Sequence, residues 1–264
     1  MTDIWGGATS PKTTDRAQLR PSPVFLGILA VFALSGWALW SGSVLGRFAV
    51  FFFVLSGWLL SLCLHEYAHA VVAYRGGDRS VAAAGYLTLD PFKYSHALYS
   101  IVLPLIFVLL GGIGLPGGAV LINRAALRSR VRESLVSAAG PLVNVLFAVA
   151  VLLPVAAIGP TDPDHLTFWA GLSFLGFLQV TASVLNLLPV PGLDGFGILD
   201  PWLPQSWAPV ARTISMFSLF GVLILLWVPA INRAFFDLVF LFLEPFGIPV
   251  QLVGFGHGLF QFWT

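Results

Sequence analysis

Charge is what this sequence has least of. Only 9% of its 264 residues are Asp, Glu, Lys or Arg, against about 25% in soluble domains. Hydrophobic residues make up 58%. Together these exclude a soluble fold, and the chain reads as an all-α polytopic membrane protein in contact with a lipid bilayer. The 13 basic and 12 acidic residues nearly cancel, and no basic patch interleaves with aromatics. Nucleic acid is therefore excluded as a partner. A single cysteine, Cys63, allows no intramolecular disulfide. It stands two positions before His65, about 200° round a helix, and reads as a small buried hydrophobe. There is no internal repeat, no low-complexity run and no polar stretch long enough for an added soluble domain. Residues 1–23 lack the apolar core of a cleavable signal, so the first span is expected to act as an uncleaved anchor.

What is there is concentrated in residues 55–74, an apolar stretch with His65, Glu66 and His69 written into it as His-Glu-x-x-His. On a helix, positions i and i+4 share a face one turn apart. Two imidazoles so placed can bind one Zn²⁺ at about 2.0–2.1 Å each. Glu66 is next round the helix and reaches a water on that metal without ligating it, as the general base of a zinc peptidase does. In a soluble helix, a polar pair at a helix contact would carry about as much weight. Here residues 51–64 hold no charge at all, and ionisable groups inside a membrane span are functional by default.

The rest of the chain arranges itself around that helix. Residues 1–23 carry Lys12, Arg16 and Arg20 and form an expected cytoplasmic N-terminal tail. Residues 24–40 make a first span and 48–74 a second, which stops at Gly76-Gly77. Residues 80–97 alternate and then meet Pro91, which suggests a short β-like interfacial element. Residues 98–122 are apolar but broken by Pro104, Gly111-Gly112 and Pro116-Gly117-Gly118, and Arg124, Arg128, Arg130 and Arg132 follow. A crossing here would put those arginines outside, against the positive-inside rule. A re-entrant Gly/Pro-rich segment is expected instead. Residues 133–158 and 166–188 are spans joined by an acidic loop with Asp162 and Asp164. Residues 213–243 make one kinked span or two short pieces. The total is about six membrane segments in a cell-membrane, multi-pass protein. A membrane-embedded core of 24–243 is followed by an interfacial C-terminal tail of 244–264.

Catalytic zinc commonly has three protein ligands and one open position. The third should be another His or a carboxylate. Asp194, after the helix-ending Pro189 and Pro191, is the best placed. Asp90, Asp162, Asp164 and Asp200 fall in expected loops. To share a metal with His65, Asp194 must lie at the same depth, which needs an even number of crossings between them. Spans 133–158 and 166–188 supply two, provided 98–122 does not cross.

With these residues in hand, the sequence resembles the site-2 protease family of intramembrane zinc metalloproteases, in its compact bacterial branch without a PDZ or CBS domain. Three motifs carry the resemblance in order: His65-Glu66-Tyr67-Ala68-His69, then Gly140-Pro141-Leu142-Val143-Asn144, then Asn186-Leu187-Leu188-Pro189-Val190-Pro191-Gly192-Leu193-Asp194-Gly195. It covers roughly residues 48–200. It implies one Zn²⁺ per chain held by His65, His69 and Asp194, with Glu66 as catalytic base and acid. It also implies a membrane-anchored protein as substrate, cut in regulated intramembrane proteolysis. Asn144 would face the site and hold substrate or oxyanion, with an interhelical hydrogen bond the equal alternative. The pattern departs from the family's at Leu89-Asp90-Pro91, at His96 and over residues 115–123, where substrate rather than metal is expected to be handled. Two other classes stay open: a catalytically silent protein that binds zinc and traps membrane segments, and an ion transporter. The retained Glu66 speaks against the first. The clustering of ligands at one depth speaks against the second.

Overall fold

A proline at the first helical position starts helix α1 (Pro23–Trp40), and Ser22 caps it by accepting from the Phe25 N–H at 3.1 Å. Such a cap is worth about 1 kcal/mol. The computed structural model describes residues 20–42, 46–94, 106 and 120–263. Helix α2 (Gly46–Gly76) has 31 residues, and at about 1.5 Å per residue it outreaches a hydrocarbon core of about 30 Å. Its end is set by Gly77, whose φ of 127° suits glycine alone and whose absent side chain lets the Ala126 carbonyl approach. The Arg132 guanidinium donates to the Gly76 carbonyl at 3.1 Å, a cation at a helix C-terminus.

A single turn, α3 (Ser80–Ala83), follows, with 3₁₀ turns at Tyr86–Thr88 and Pro91–Lys93. The β-like element expected over 80–97 is thus corrected: the described part is helical, and no strand occurs among the described residues. Positive φ at Gly85 and Leu89 breaks the extended run. Asp90 then caps the turn that Pro91 opens, accepting from the Phe92 N–H at 3.1 Å. Tyr94 anchors the segment by donating its buried hydroxyl to the Cys63 carbonyl at 3.0 Å. Burial pushes its phenol well above the usual range, so it remains a donor. The expected re-entrant stretch 98–122 lies outside the described residues up to 119, apart from Ile106, as does His96.

Helix α4 (Arg130–Ile158) begins at Ser129, which accepts from the Arg132 N–H, and contains Pro141 and Pro154. It runs antiparallel to α2: the Arg132–Gly76 bond lies at one end, and His65 meets Asn144 further along. A short loop turns the chain into α5 (Leu166–Asn186). There His165 and the Trp169 indole both donate to Asp162, at 2.8 and 3.1 Å, and Trp40 of α1 stacks on His165. Helix α5 is the centre of the molecule. Of its most apolar window 94% is buried, against 17% for α1. Glycines let it pack closely, since a Cβ at Gly176 would collide with Leu152 of α4.

After α5 come a short helix α6 (Asp194–Leu199), then α7 (Ala208–Ser215), α8 (Ser218–Leu225), α9 (Pro229–Leu243) and α10 (Val250–Phe260). The stretch 213–243 is therefore broken twice. The extension Pro229–Phe246 meets α10 at 111°. Within residues 244–264, α10 packs on α5: Gly256 lies against the Ala170 carbonyl, and Phe260 is wholly buried beside Phe174. Among the described residues four helices are long and apolar enough to cross a membrane, or five if the bent pair is one span. The expected count of about six includes the re-entrant stretch that falls outside the described residues; the chain is a membrane protein whose described part is all-helical.

Candidate metal centre

His65 and His69 lie on the face of α2 that meets α4, and both are buried. Their Nε2 atoms are 3.0 Å apart. The Asp194 Oδ2 atom lies 3.2 Å from the first and 3.4 Å from the second. Asp194 arrives from 125 residues downstream, as the first residue of α6. Two contacts seat α6 on α4. The Ser134 hydroxyl donates to the Ile198 carbonyl at 2.7 Å, and Gly197 lies against Ser137. The long helices α4 and α5 run out and back between the two, so that Asp194 lies beside His65. Among the other acids, Asp90 caps a turn, Asp162 binds His165 and Trp169, and Asp200 pairs with Arg124 at 2.8 Å.

The other nitrogen of each imidazole is committed. The His65 Nδ1–H donates to the Asn144 side-chain oxygen at 2.7 Å, and the His69 Nδ1–H donates to the Val136 carbonyl at 2.6 Å. A neutral imidazole with its proton on Nδ1 carries a lone pair on Nε2. Two lone pairs and a carboxylate oxygen thus aim at one point. That arrangement repels itself unless a cation lies there. Metal-ligating histidines commonly have just such an outer partner fixing the tautomer.

The size fits as well. Neighbouring donors on a tetrahedral zinc stand roughly 3.3 Å apart, within a few tenths of an ångström of the three distances here. Room comes from Gly140: a Cβ there would sit 2.3 Å from His69 Nε2 and 2.5 Å from His65 Nε2. Glu66 is almost fully buried, with Oε1 3.9 Å from His65 Nε2, and its Oε2 accepts from the Val120 N–H at 3.2 Å. His65, Glu66 and His69 form one group able to hold a metal ion.

Comparison with known proteins agrees. The chain is 46% identical over 253 residues to "Putative zinc metalloprotease Rip2" of Mycolicibacterium smegmatis, spanning 94% of this chain and 96% of that protein. It is 45% identical over 257 residues to the protein of the same name in Mycobacterium tuberculosis, spanning 96% and 98%. The chain belongs to the site-2 protease family of zinc metalloproteases. A more distant relative, "Putative zinc metalloprotease YwhC" of Bacillus subtilis, is 31% identical over 157 residues, 55% of this chain and 67% of that protein. No family model and no solved structure matches.

In this zinc metalloprotease the structure brings all five expected site residues together: His65, Glu66, His69, Asn144 and Asp194. Sequence reasoning missed the Val120 amide, the Val136 carbonyl and the part Gly140 plays. The first two are backbone groups, which leave no mark on residue identity. Gly140 was visible in its motif, and only its closeness to the imidazoles reveals its use.

Proposed function

We propose that this protease is an intramembrane endopeptidase that cuts a membrane-anchored protein from a site opening toward the cytoplasm. The observation that carries this reading is the convergence of three donor atoms beside a buried carboxylate held off to one side. In it His65, His69 and Asp194 hold the zinc. When bound, zinc supplies a Lewis acid that makes water nucleophilic near neutral pH and polarises the scissile carbonyl. Glu66 takes the proton from the attacking water on Oε1 and returns it to the leaving amine. Its other oxygen stays on the Val120 amide. A helical substrate has its carbonyls already hydrogen-bonded, so it must unwind before the bond can be cut. The cytoplasmic orientation is supported by Arg75, Arg79, Arg124, Arg128, Arg130 and Arg132 gathering at the site's end of α2 and α4, while Asp162 and Asp164 lie at the other.

The test compares wild type with Glu66→Gln in detergent, measuring bound zinc and cleavage of a single-span substrate. Expected is zinc in both and a kcat lower by about 10²–10⁴ in the variant. Zinc in both with cleavage by neither would favour the silent membrane-segment binder. No zinc in wild type would overturn the metal assignment.

Asn144 is assigned to the outer partner of His65 rather than to the oxyanion. Its replacement by alanine is then expected to weaken zinc binding about 10–100-fold, with kcat of the zinc-loaded form little changed. An oxyanion role predicts the reverse, zinc retained and kcat down about 10²–10³-fold. A chelator competition titration alongside the kinetics separates the two.

A further inference from the structure

Residues 120–124 run past the end of α2 without regular structure until the 3₁₀ turn Arg124–Ala126, and three bonds fasten them. The Val120 N–H donates to Glu66 Oε2 at 3.2 Å. The Asn123 N–H donates to Asp78 Oδ2 at 2.8 Å. The Arg124 guanidinium holds Asp200, one residue past α6, at 2.8 Å. Asp78 is only 1% exposed, and its other oxygen accepts from the Ser80 N–H at 2.9 Å. Nothing in the metal chemistry calls for this buried acid. It follows α2 directly and is the fixed point from which 120–124 reach back to Glu66. The close approach at Gly77, where a Cβ would stand 2.7 Å from the Ala126 carbonyl, holds the two stretches together.

The geometry poses a problem that this strap solves. Glu66 lies close enough to His65 and His69 for its carboxylate to join them on one ion. With Asp194 also bound, that would complete four protein ligands, a closed structural site rather than a catalytic one with an open position. We propose that the strap of residues 120–124, anchored by Asp78, is a positioning device that ties back one oxygen of Glu66, keeping the carboxylate off the metal and the fourth coordination position open. Asp78 acts through the Asn123 amide, and the Val120 amide acts on Glu66. The inference rests on the proposed ligand set and on Glu66 as base.

Asn123→Pro is the selective test. The φ of −79° at Asn123 is one a proline ring holds, so the backbone keeps its course while its N–H is lost. Asp78→Ala removes the same bond from the other side and serves if the proline variant does not fold. Two readouts are needed: kcat and KM on a single-span substrate, and the rate at which excess chelator strips zinc. Expected in either variant is a kcat about 10–100-fold lower, a KM within about twofold, and zinc release slower than wild type because Glu66 has become a ligand. Adding Glu66→Gln should restore fast release. Mere loosening of the fold would speed release, and that outcome, or an unchanged kcat, overturns the proposal. If wild type itself fails to cleave, the proteolytic reading fails, yet the release rates still decide the strap.

Discussion

Gly140→Ala is expected to empty the metal centre and abolish cleavage while leaving the helices intact. The added methyl would stand 2.3 Å from His69 Nε2, 2.5 Å from His65 Nε2 and 2.6 Å from His65 Cε1. Ordinary contact requires roughly 3.5 Å or more, so something must move by about 1 Å. Zinc–ligand distances tolerate only about 0.2 Å. The rings cannot swing aside freely, because Nδ1 of each is tied to α4, at Asn144 and at the Val136 carbonyl. Gly140 belongs to that same helix, so pushing α4 away drags both anchors with it. Overpacking by itself costs about 1–3 kcal/mol, enough to lower the melting temperature but not to unfold a protein of this burial. The loss should therefore fall on zinc, from about one ion per chain to a small fraction of that, read by elemental analysis of purified protein. Gly254→Ala in α10, where a Cβ meets nothing within 4 Å, is the control and should keep both zinc and activity. Full zinc in Gly140→Ala would mean that the ion lies elsewhere.

The contrast between Gly140 and Glu66 shows what a sequence displays of such a site. His65, Glu66 and His69 announce themselves because one helix carries them at fixed spacing, and helix periodicity alone sets their relation. Asp194 was reachable by a longer argument, as the carboxylate that follows the helix-ending Pro189 and Pro191 while the other acids fall in expected loops, and the parity of crossings served as a check on the topology. That check counted two well-marked spans between the motifs, seen as Arg130–Ile158 and Leu166–Asn186, on the condition that 98–122 does not cross. Beyond these, the controlling contacts are made by backbone atoms. The Val120 amide, the Val136 carbonyl and the Gly77 approach to Ala126 depend on where the chain passes, not on which side chain stands there. The alternation of residues 80–97 misled for a related reason. A period of two requires a partner strand, and the described part of this segment winds into turns against α2 instead. Beyond Arg212, frequent Pro and Gly left helix breaks undetermined, and only packing against α5 fixed α10.

Asp194→Ala should cost zinc affinity more than any change outside the three donor atoms. With the carboxylate gone, two neutral imidazoles 3.0 Å apart remain, and the one other described acid beside them, Glu66, is held 3.9 Å from His65 Nε2 with its second oxygen on the Val120 amide. Loss of an outer partner costs about 10–100-fold in affinity. Loss of a charged ligand should exceed the upper end of that range, so the protein should come off the column without metal and without activity. The same short helix supplies the control. Asp200 lies one residue past α6, and its pair with Arg124 is largely solvent-exposed, a kind of bridge worth about 0–1 kcal/mol. Asp200→Ala leaves the Ser134–Ile198 bond that seats α6 untouched and should keep its zinc. Asp194→Asn separates charge from shape: an amide oxygen fits the same space but brings no charge to oppose the cation, so it too should lose the metal. Retention of zinc in both Asp194 variants would remove the carboxylate from the ligand set. The two histidines would then need another partner, Glu66 being the nearest acid, and the parity argument would lose its endpoint.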